Sequence, residues 1–170
     1  RGFGFLLTES KQIEEAVSNY AATCALRLRQ QGSCAKTVTV FVQTNPHRTD
    51  HQQYMRSINI ALEVTSSSTP DIVRAAMKGL NLILKQGYRY LKAGVILSDF
   101  VPEGVVQQGL FSEVNTRGNK IMRAMDVINT IKGKEIVRIA SQGYERRYKL
   151  KAERLSPRYT TRIEDIIKVK

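Results

Sequence analysis

One stretch decides the fold: Lys36-Thr37-Val38-Thr39-Val40-Phe41-Val42-Gln43-Thr44. Its valines occupy every second position, and polar or aromatic residues stand between them. Such alternation is typical of a β-strand with one face in a core and one face open. A second stretch, Arg56 to Val64, alternates in the same way after a polar loop. Together the two stretches predict neighbouring antiparallel strands whose valines and isoleucines face one core.

A strand and a helix precede this pair, and a helix and a strand follow it. Gly2 to Leu7 is predicted to be a strand, and apolar residues then recur at helical spacing from Ile13 to Leu28. Thr69-Pro70-Asp71 predicts a helix start, with a capping hydroxyl, a proline in the first turn and an acid near the positive end of the helix dipole. This helix is predicted to end at Gly87, and Tyr88 to Phe100 alternates as a last strand.

The order β-α-β-β-α-β predicts a ferredoxin-like α+β fold, in which two helices cover one face of a four-stranded antiparallel sheet. The other face is then open and mostly polar. Hydroxyls, amides and strand N–H groups on such a face suit a phosphate backbone, and Gly94 would let another backbone approach. The alternative is an ordinary solvated sheet face. The predicted open face carries Thr37, Thr39, Gln43, Ser57, Asn59, Tyr90, Lys92 and Gly94.

The net charge of +12 is unevenly distributed along the 170 residues. Residues 1–115 carry a net charge of +3, and residues 116–170 carry +9. A basic balance of this size indicates a polyanionic partner or an acidic membrane surface, although a merely soluble basic protein also fits it. No apolar run approaches the roughly 20 residues of a membrane span, and no signal peptide is visible. The sequence therefore favours a cytoplasmic protein without a membrane partner.

Chemistry-bearing residues are sparse and scattered. His47 and His51 have the spacing of a metal pair on a helix, but Pro46 and the polar loop around them argue against one. Cys24 and Cys34 are predicted to be reduced thiols. The carboxylates are not clustered as a two-metal nucleotidyl-transfer site requires. We therefore predict no catalytic residue, no metal site and no cofactor in this chain.

A possible partner-binding peptide follows the last predicted strand: Gln107-Gln108-Gly109-Leu110-Phe111. A glutamine followed by a Leu-Phe pair in a polar segment has the form of an extended peptide that enters apolar pockets on another protein. The alternative is that Leu110 and Phe111 pack on their own core. Beyond the peptide, Asn119 to Lys132 is predicted to be a helix, and Glu135 to Ala140 a strand, so that the C-terminal extension would be α/β.

Three segments resemble a known family. Arg1-Gly2-Phe3-Gly4 and Tyr88 to Val95 are similar to the first and last strands of the little-finger domain of Y-family translesion DNA polymerases. Leu155-Ser156-Pro157-Arg158-Tyr159-Thr160-Thr161-Arg162 resembles the closing segment of the UmuC branch of that family. The resemblance covers the whole chain, and the last segment is its most specific part.

The resemblance implies a division into a little-finger DNA-binding domain (1–101), a linker with a sliding-clamp-binding peptide (102–118) and a basic UmuC-type extension (119–170). Gln107, Leu110 and Phe111 would bind the bacterial sliding clamp. The peptide departs from the family pattern at Gln108, where an apolar residue is common, and at Gly109, where Ser, Asp or Asn is common. These departures imply weaker clamp binding.

The resemblance also implies an error-prone polymerase of the DNA damage (SOS) response, whose catalytic carboxylates and Mg²⁺ lie upstream of Arg1. This chain would then be a non-enzymatic fragment that grips template-primer DNA through its backbone phosphates without reading sequence. The basic tail from Gly143 to Lys170 would either dock on residues 116–142 or present a surface to the accessory UmuD′ dimer or the recombinase filament. The DNA-binding candidates are Arg1, Lys36, Thr37, Thr39, Arg56, Ser57, Arg89 and Lys92.

Two rival functions remain from the sequence. An RNA-recognition module shares the β-α-β-β-α-β order and stacks bases on aromatic residues of its central strands. The predicted third strand, Met55 to Ala61, has no aromatic residue, which disfavours this reading. A domain that binds only other proteins is the second rival.

Overall fold

The structure is a computed structural model, and it describes residues 1–103, 116–133, 135–150 and 155–166. Four strands and two helices make the main domain, and a third helix follows it. Two short 3-10 helices, Ala140–Gln142 and Ile163–Asp165, lie in the C-terminal part. In chain order the main elements are β1 (Gly2–Leu7), α1 (Ser10–Gln30), β2 (Ser33–Thr44), β3 (Met55–Ser66), α2 (Thr69–Ile83), β4 (Tyr90–Pro102) and α3 (Thr116–Lys132).

The sheet has the strand order β1-β4-β2-β3, and each neighbouring pair is antiparallel. Both α1 and α2 pack on one of its faces, so the predicted ferredoxin-like α+β fold is confirmed. The side chains of Val38, Val40 and Val42 on the central strand β2 are completely buried. They lie under helix residues such as Ile13 and Leu80, which are also completely buried. The valines at every second position of β2 therefore face the helices, as predicted.

The predicted ends of α2 are both corrected. Ser68 occupies the cap position, and Thr69 is already helical. The Thr69 hydroxyl instead accepts a hydrogen bond from Nη1 of Arg29 at 2.9 Å. At the other end, Leu84 turns into extended backbone, so the helix ends at Ile83 rather than at Gly87. Gly87 lies in the following turn with φ = 85°, a conformation that glycine adopts without strain.

Tyr90 is not on the open face, and this prediction is wrong. Thr44 pairs with Tyr90, but the preceding residue Gln43 pairs with Lys92, so Leu91 is an extra residue in β4. Such a bulge shifts the alternation by one position and turns Tyr90 towards the helices. Its side chain is 1% exposed, and its hydroxyl donates to the carbonyl of Lys85 at 2.9 Å.

The C-terminal extension begins with the predicted helix, α3. The strand predicted for Glu135–Ala140 is wrong, because among the described residues this stretch forms a turn and then a 3-10 helix. A side chain supplies the hydrogen bonds that a strand partner would supply. Asn129 donates through Nδ2 to the carbonyl of Val137 and accepts through Oδ1 from its N–H, both at 2.9 Å.

Helix α3 is tied to the main domain by charge. Arg29, near the end of α1, donates to both carboxylate oxygens of Asp126, at 2.6 and 2.8 Å. Arg29 also donates to the carbonyl of Ser67 at 2.7 Å, so its guanidinium joins α1, α3 and the start of α2. Arg123 of α3 contacts Glu103 at 3.1 Å. A bidentate, largely buried arginine contact fixes orientation as well as position.

Residues 140–150, here called the docking segment, lie against α1 through polar contacts. The hydroxyls of Ser18 and Ser141 are 2.7 Å apart. Asn19 donates to the carbonyl of Gln142 at 2.6 Å, and the Gln142 amide donates back to Oδ1 of Asn19 at 3.3 Å. Both Asn19 and Gln142 are 6% exposed.

The docking segment then reaches β1. Tyr148 is 3% exposed, and its ring meets Phe3 and Tyr20 edge-on, at centroid distances of 6.4 and 6.0 Å. Its carbonyl accepts a hydrogen bond from the N–H of Gly4 at 3.0 Å. The segment also contacts the residues just before it, through the ion pair of Arg146 with Glu135. The prediction that the apolar residues of the tail dock on residues 116–142 is wrong for those that the structure describes, because Leu150, Leu155, Tyr159, Ile163 and Ile166 are exposed. The docking segment contacts mainly β1 and α1 instead.

Candidate nucleic-acid interface

The open face of the sheet is built by register. In antiparallel neighbours, directly opposed residues lie on the same face. Thr39 is opposed by Ile96 on β4 and by Asn59 on β3, and its hydroxyl donates to Oδ1 of Asn59 at 2.9 Å. Lys92 is opposed by Gln43 on β2 and by Gly2 on β1. The structure thus brings Thr39, Asn59, Gln43 and Lys92 to one face, as predicted.

An aromatic ring also lies on this face. Phe41 is opposed by Gly94 on β4 and by Ser57 on β3. A Cβ atom built on Gly94 would be 2.4 Å from the Phe41 ring. The space above Gly94 is therefore filled by Phe41, so the glycine does not offer room for another backbone. The sequence alone indicates that Phe41 lies on the open face, because it alternates with the buried valines. That Phe41 lies opposite Gly94 follows only from the pairing of β2 with β4.

Basic side chains gather at one end of the sheet. This end joins the starts of β3 and β4 to the ends of β1 and β2, and the short strand β1 begins opposite Lys92, so residues distant in sequence come together there. Lys92 lies near the start of β4 on the open face, and Arg89 immediately precedes the strand. Nη1 of Arg89 is 3.4 Å from Nε2 of His51 in the loop between β2 and β3. We call Arg1, Arg56, Arg89 and Lys92 the basic end.

Two members of the basic end point away from the open face. Arg56 is opposed by the buried Val42, which assigns it to the helix-covered side of the sheet, although it is exposed at the edge. The guanidinium of Arg1 lies over the ring of Tyr20 on α1, with Cζ 5.9 Å from the ring centroid. A cation in this position is attracted by the negative ring face. Both charges therefore flank the open face instead of standing on it.

Lys36 and Thr37 lie at the opposite end of the sheet. Ala35 pairs with Phe100 there, near the end of β4. The hydroxyl of Thr37 donates to the carboxylate of Asp99, which has a left-handed φ of 56°. A carboxylate beside these residues repels a phosphate, so this end is less suited to nucleic acid than the basic end. Glu63 and Glu103, near the ends of β3 and β4, add acid to the same region.

The predicted clamp-binding residues Gln107, Leu110 and Phe111 lie outside the described residues. Before them, β4 ends at Pro102, and the N–H of Glu103 donates to the carbonyl of Gly32 at 2.9 Å. After them, α3 begins at Thr116. The peptide therefore follows a strand and precedes a helix, as predicted.

The cysteines and histidines of the described residues do not form a catalytic or metal-binding cluster. Cys24 and Cys34 are free thiols, and burial raises the pKa of both, which keeps them protonated. His51 contacts the carboxylate of its neighbour Asp50 at 3.5 Å. Within the described ranges, no three His, Cys, Asp or Glu side chains are arranged to hold a metal ion. Every helix in those ranges is too short or too polar to serve as a membrane span.

Comparison with known proteins identifies relatives along the whole chain. The model of the impB/mucB/samB family C-terminal domain matches residues 1–110, and that of a domain of unknown function (DUF4113) matches residues 119–169. The protein UmuC of Salmonella typhimurium is 37% identical over 172 residues, which cover 100% of this chain and 41% of the relative. The protein ImpB of Salmonella typhimurium is 38% identical over 98% of this chain and 39% of its own length.

A more distant relative extends the same pattern. The protein MucB of Escherichia coli is 30% identical over 95% of this chain and 38% of its own length. The chain thus spans about two fifths of the length of the curated relatives it matches. The resemblance of the sequence to the C-terminal part of UmuC is confirmed. The chain belongs to the impB/mucB/samB family, of which it carries the C-terminal domain.

Proposed function

We propose that this chain is the DNA-gripping and clamp-binding region of an error-prone Y-family translesion DNA polymerase of the DNA damage (SOS) response. The observation that carries the proposal is the family membership along the whole chain, together with four cations gathered at one end of an open sheet. The division into a little finger (1–101), a clamp-binding linker (102–118) and a basic extension (119–170) is part of this proposal.

The grip uses charge for affinity and the strands for position. Lys92 and Arg89 neutralise backbone phosphates at the basic end, and Arg1 and Arg56 widen the positive region on its flank. Hydroxyls of Thr39 and Ser57 hydrogen-bond to phosphate oxygens along the sheet. Thr37, whose hydroxyl donates to Asp99, and Lys36 lie at the far end and contribute less. Contacts of this kind hold the duplex in register and carry no base information. A polymerase that copies damaged templates needs such a grip, because the damaged base is not recognised by sequence.

No step of catalysis is assigned to this chain. The nucleotidyl-transfer carboxylates and their Mg²⁺ belong to the upstream part of the polymerase, and the complete protein acts in the cytoplasm. The accessory UmuD′ dimer and the recombinase filament are the proposed partners of the extension. The chain alone, incubated with primer-template, Mg²⁺ and nucleotides, is expected to extend nothing. Template-dependent extension would contradict this division of labour.

Duplex binding is tested by fluorescence anisotropy with labelled primer-template at several salt concentrations. We expect weak binding that is equal for unrelated sequences and falls linearly with log salt, because released counterions set the slope. Labelled single-stranded RNA is titrated in parallel, because an RNA-recognition module is the second candidate function. Phe41, an open-face aromatic residue on a central strand, is the observation that favours it. Preference for single-stranded RNA over duplex DNA, abolished by Phe41→Ala, would overturn the proposal in favour of that module.

Clamp binding is tested with the double variant Leu110→Ala/Phe111→Ala. Truncation of buried anchor residues at a binding hot spot typically costs 2 kcal/mol or more, roughly a 30-fold loss of affinity. We expect loss of binding to a bacterial sliding clamp in surface plasmon resonance, with unchanged circular dichroism and thermal midpoint. The variant Gln108→Ala is the control within the same peptide, and it should bind nearly as the parent does. An unfolded double variant would show that the pair belongs to the core.

A further inference from the structure

An aromatic ring lies near the centre of the open face. Phe41 belongs to β2, a central strand, and is directly opposed by Gly94 on β4 and by Ser57 on β3. Cδ1, Cε1 and Cζ of the ring would all lie within 3.4 Å of a Cβ atom on Gly94, so the ring extends across the glycine. Both directly opposed residues are small, and Phe41 remains only partly buried. Part of its surface is therefore open to a ligand on this face.

A cation of the basic end lies beside this ring. In an antiparallel pair, a residue two positions from the directly opposed one is a diagonal neighbour, roughly 7–8 Å away. Lys92 is two positions from Gly94 on β4, so it is a diagonal neighbour of Phe41 on the same face. The Lys92 side chain is exposed. The ring and the cation are thus separated by a distance that a single nucleotide can span from its base to its phosphate.

A second phenylalanine on β4 lacks this arrangement. Phe100 is 54% exposed, and the same pairing gives it Ser33 and Thr37 as diagonal neighbours on β2. The hydroxyl of Thr37 donates to the carboxylate of Asp99, which adds negative charge beside Phe100. A carboxylate there repels the phosphate of a nucleotide. Of these two rings, Phe41 is therefore the one whose surroundings attract a nucleotide.

We propose that Phe41 is a stacking platform for an unpaired base of the template strand, with the phosphate of that nucleotide bound by Lys92. Stacking on an aromatic side chain tolerates every base, because each base has a π face. In a duplex this face is covered by the neighbouring base pairs, so an unpaired nucleotide is the one that can use the ring. The inference rests on the proposed DNA-gripping function and deepens it, because it names single-stranded template beside the duplex as a ligand of the open face.

The test compares two labelled DNA substrates that share one duplex, by fluorescence anisotropy. One substrate is blunt, and the other carries a template overhang of unpaired thymidines. We expect the parent chain to bind the overhang substrate more tightly than the blunt one. Phe41→Ala should weaken binding of the overhang substrate by about 5-fold to 150-fold, the usual loss for one stacked base, and should leave binding of the blunt duplex nearly unchanged.

Three further variants separate stacking from charge and from folding. Phe100→Ala is the matched control, since it removes the same ring from the other end of the sheet, and it should change neither affinity. Lys92→Gln should lower the magnitude of the salt slope for both substrates, whereas Phe41→Ala should lower affinity without altering the slope, because stacking releases no counterion. If Phe41→Ala lowers the thermal midpoint, Phe41→Leu is the deciding variant, because it still covers Gly94 but has no π face. It should lose the gain from the overhang.

Four results would overturn the inference. They are equal parental affinity for the two substrates, an equal loss on both from Phe41→Ala and Phe41→Leu, equal effects of Phe41→Ala and Phe100→Ala, and tighter binding of a ribonucleotide overhang, which would indicate an RNA-recognition module. If the parent binds both substrates and Lys92→Gln alone weakens them, the grip stands and the stacking fails. If the parent binds neither substrate, the proposed DNA-gripping function fails as well.

Discussion

The helix-covered face of the sheet and the docking segment are held by different forces. The inner face is a continuous apolar layer in which Val38, Val40 and Val42 have no exposed surface. The docking segment is held mainly by the hydrogen bonds of Asn19 and Gln142, with the Tyr148 ring as its main buried apolar group. Apolar burial is cumulative and sets the stability of the whole domain, whereas a few polar contacts fix only the position of what they join. Substitutions should therefore affect the two parts separately.

The largest effect is expected from the apolar layer. Leu80 of α2 is completely buried, so Leu80→Ala loses transfer free energy and leaves a cavity. The free energy of unfolding should fall by about 2–5 kcal/mol in urea or thermal unfolding. Leu82 on the same helix is 64% exposed, and Leu82→Ala is the matched control, with a change near zero. A similar loss of unfolding free energy for both substitutions would contradict this account, because burial would then not determine the effect of a leucine.

A smaller and local effect is expected at the docking segment. Asn19→Ala leaves the Gln142 carbonyl and amide without their partner, at a cost of about 1–3 kcal/mol. Hydrogen exchange of residues 140–150 should speed up, while exchange of the β2 amides stays as in the parent. Asn81→Ala, at an exposed position of α2, is the matched control and should change neither. Faster exchange throughout the sheet would show that the segment belongs to the same cooperative unit as the core.

Alkaline pH should loosen the docking segment further. Burial raises the pKa of Tyr148 to about 12, from an ordinary value near 10. Because the folded-state pKa is the higher one, the stabilisation is complete below pH 10 and is lost as pH rises towards 12. The difference in stability between the parent and Tyr148→Phe should change by roughly 1 kcal/mol between pH 9 and pH 11. A difference that is independent of pH would contradict a buried phenol.

The apolar layer could be predicted from the sequence, and the docking segment could not. Val38 and Leu80 belong to repeats of two and of 3.6 residues, and such repeats report which face is buried. Asn19 and Gln142 are 123 positions apart and belong to no repeat, so their contact is a property of the folded chain alone. Tyr90 was misassigned for a related reason, because a single extra residue in β4 reverses the alternation.

The candidate site was predictable in kind but not in arrangement. The sequence indicated a polar open face, and Thr39, Asn59 and Lys92 lie on it. The sequence could not predict that the cations divide between the two ends of the sheet. That division depends on the strand order and on the pairing of the strands. Lys36 and Lys92 were equivalent candidates in the sequence. In the fold, Lys36 lies near the carboxylate end, and Lys92 lies at the basic end.

The most direct test of the account compares Lys92→Gln with Lys36→Gln in duplex binding across a salt series. Both substitutions remove one exposed lysine charge from the sheet, so each is the control for the other. We expect Lys92→Gln to weaken binding to all sequences equally and to lower the magnitude of the log–log salt slope by roughly 0.9, with unchanged stability. Lys36→Gln should alter the slope much less. An equal or larger change for Lys36→Gln, or no change for either lysine, would contradict a grip at the basic end.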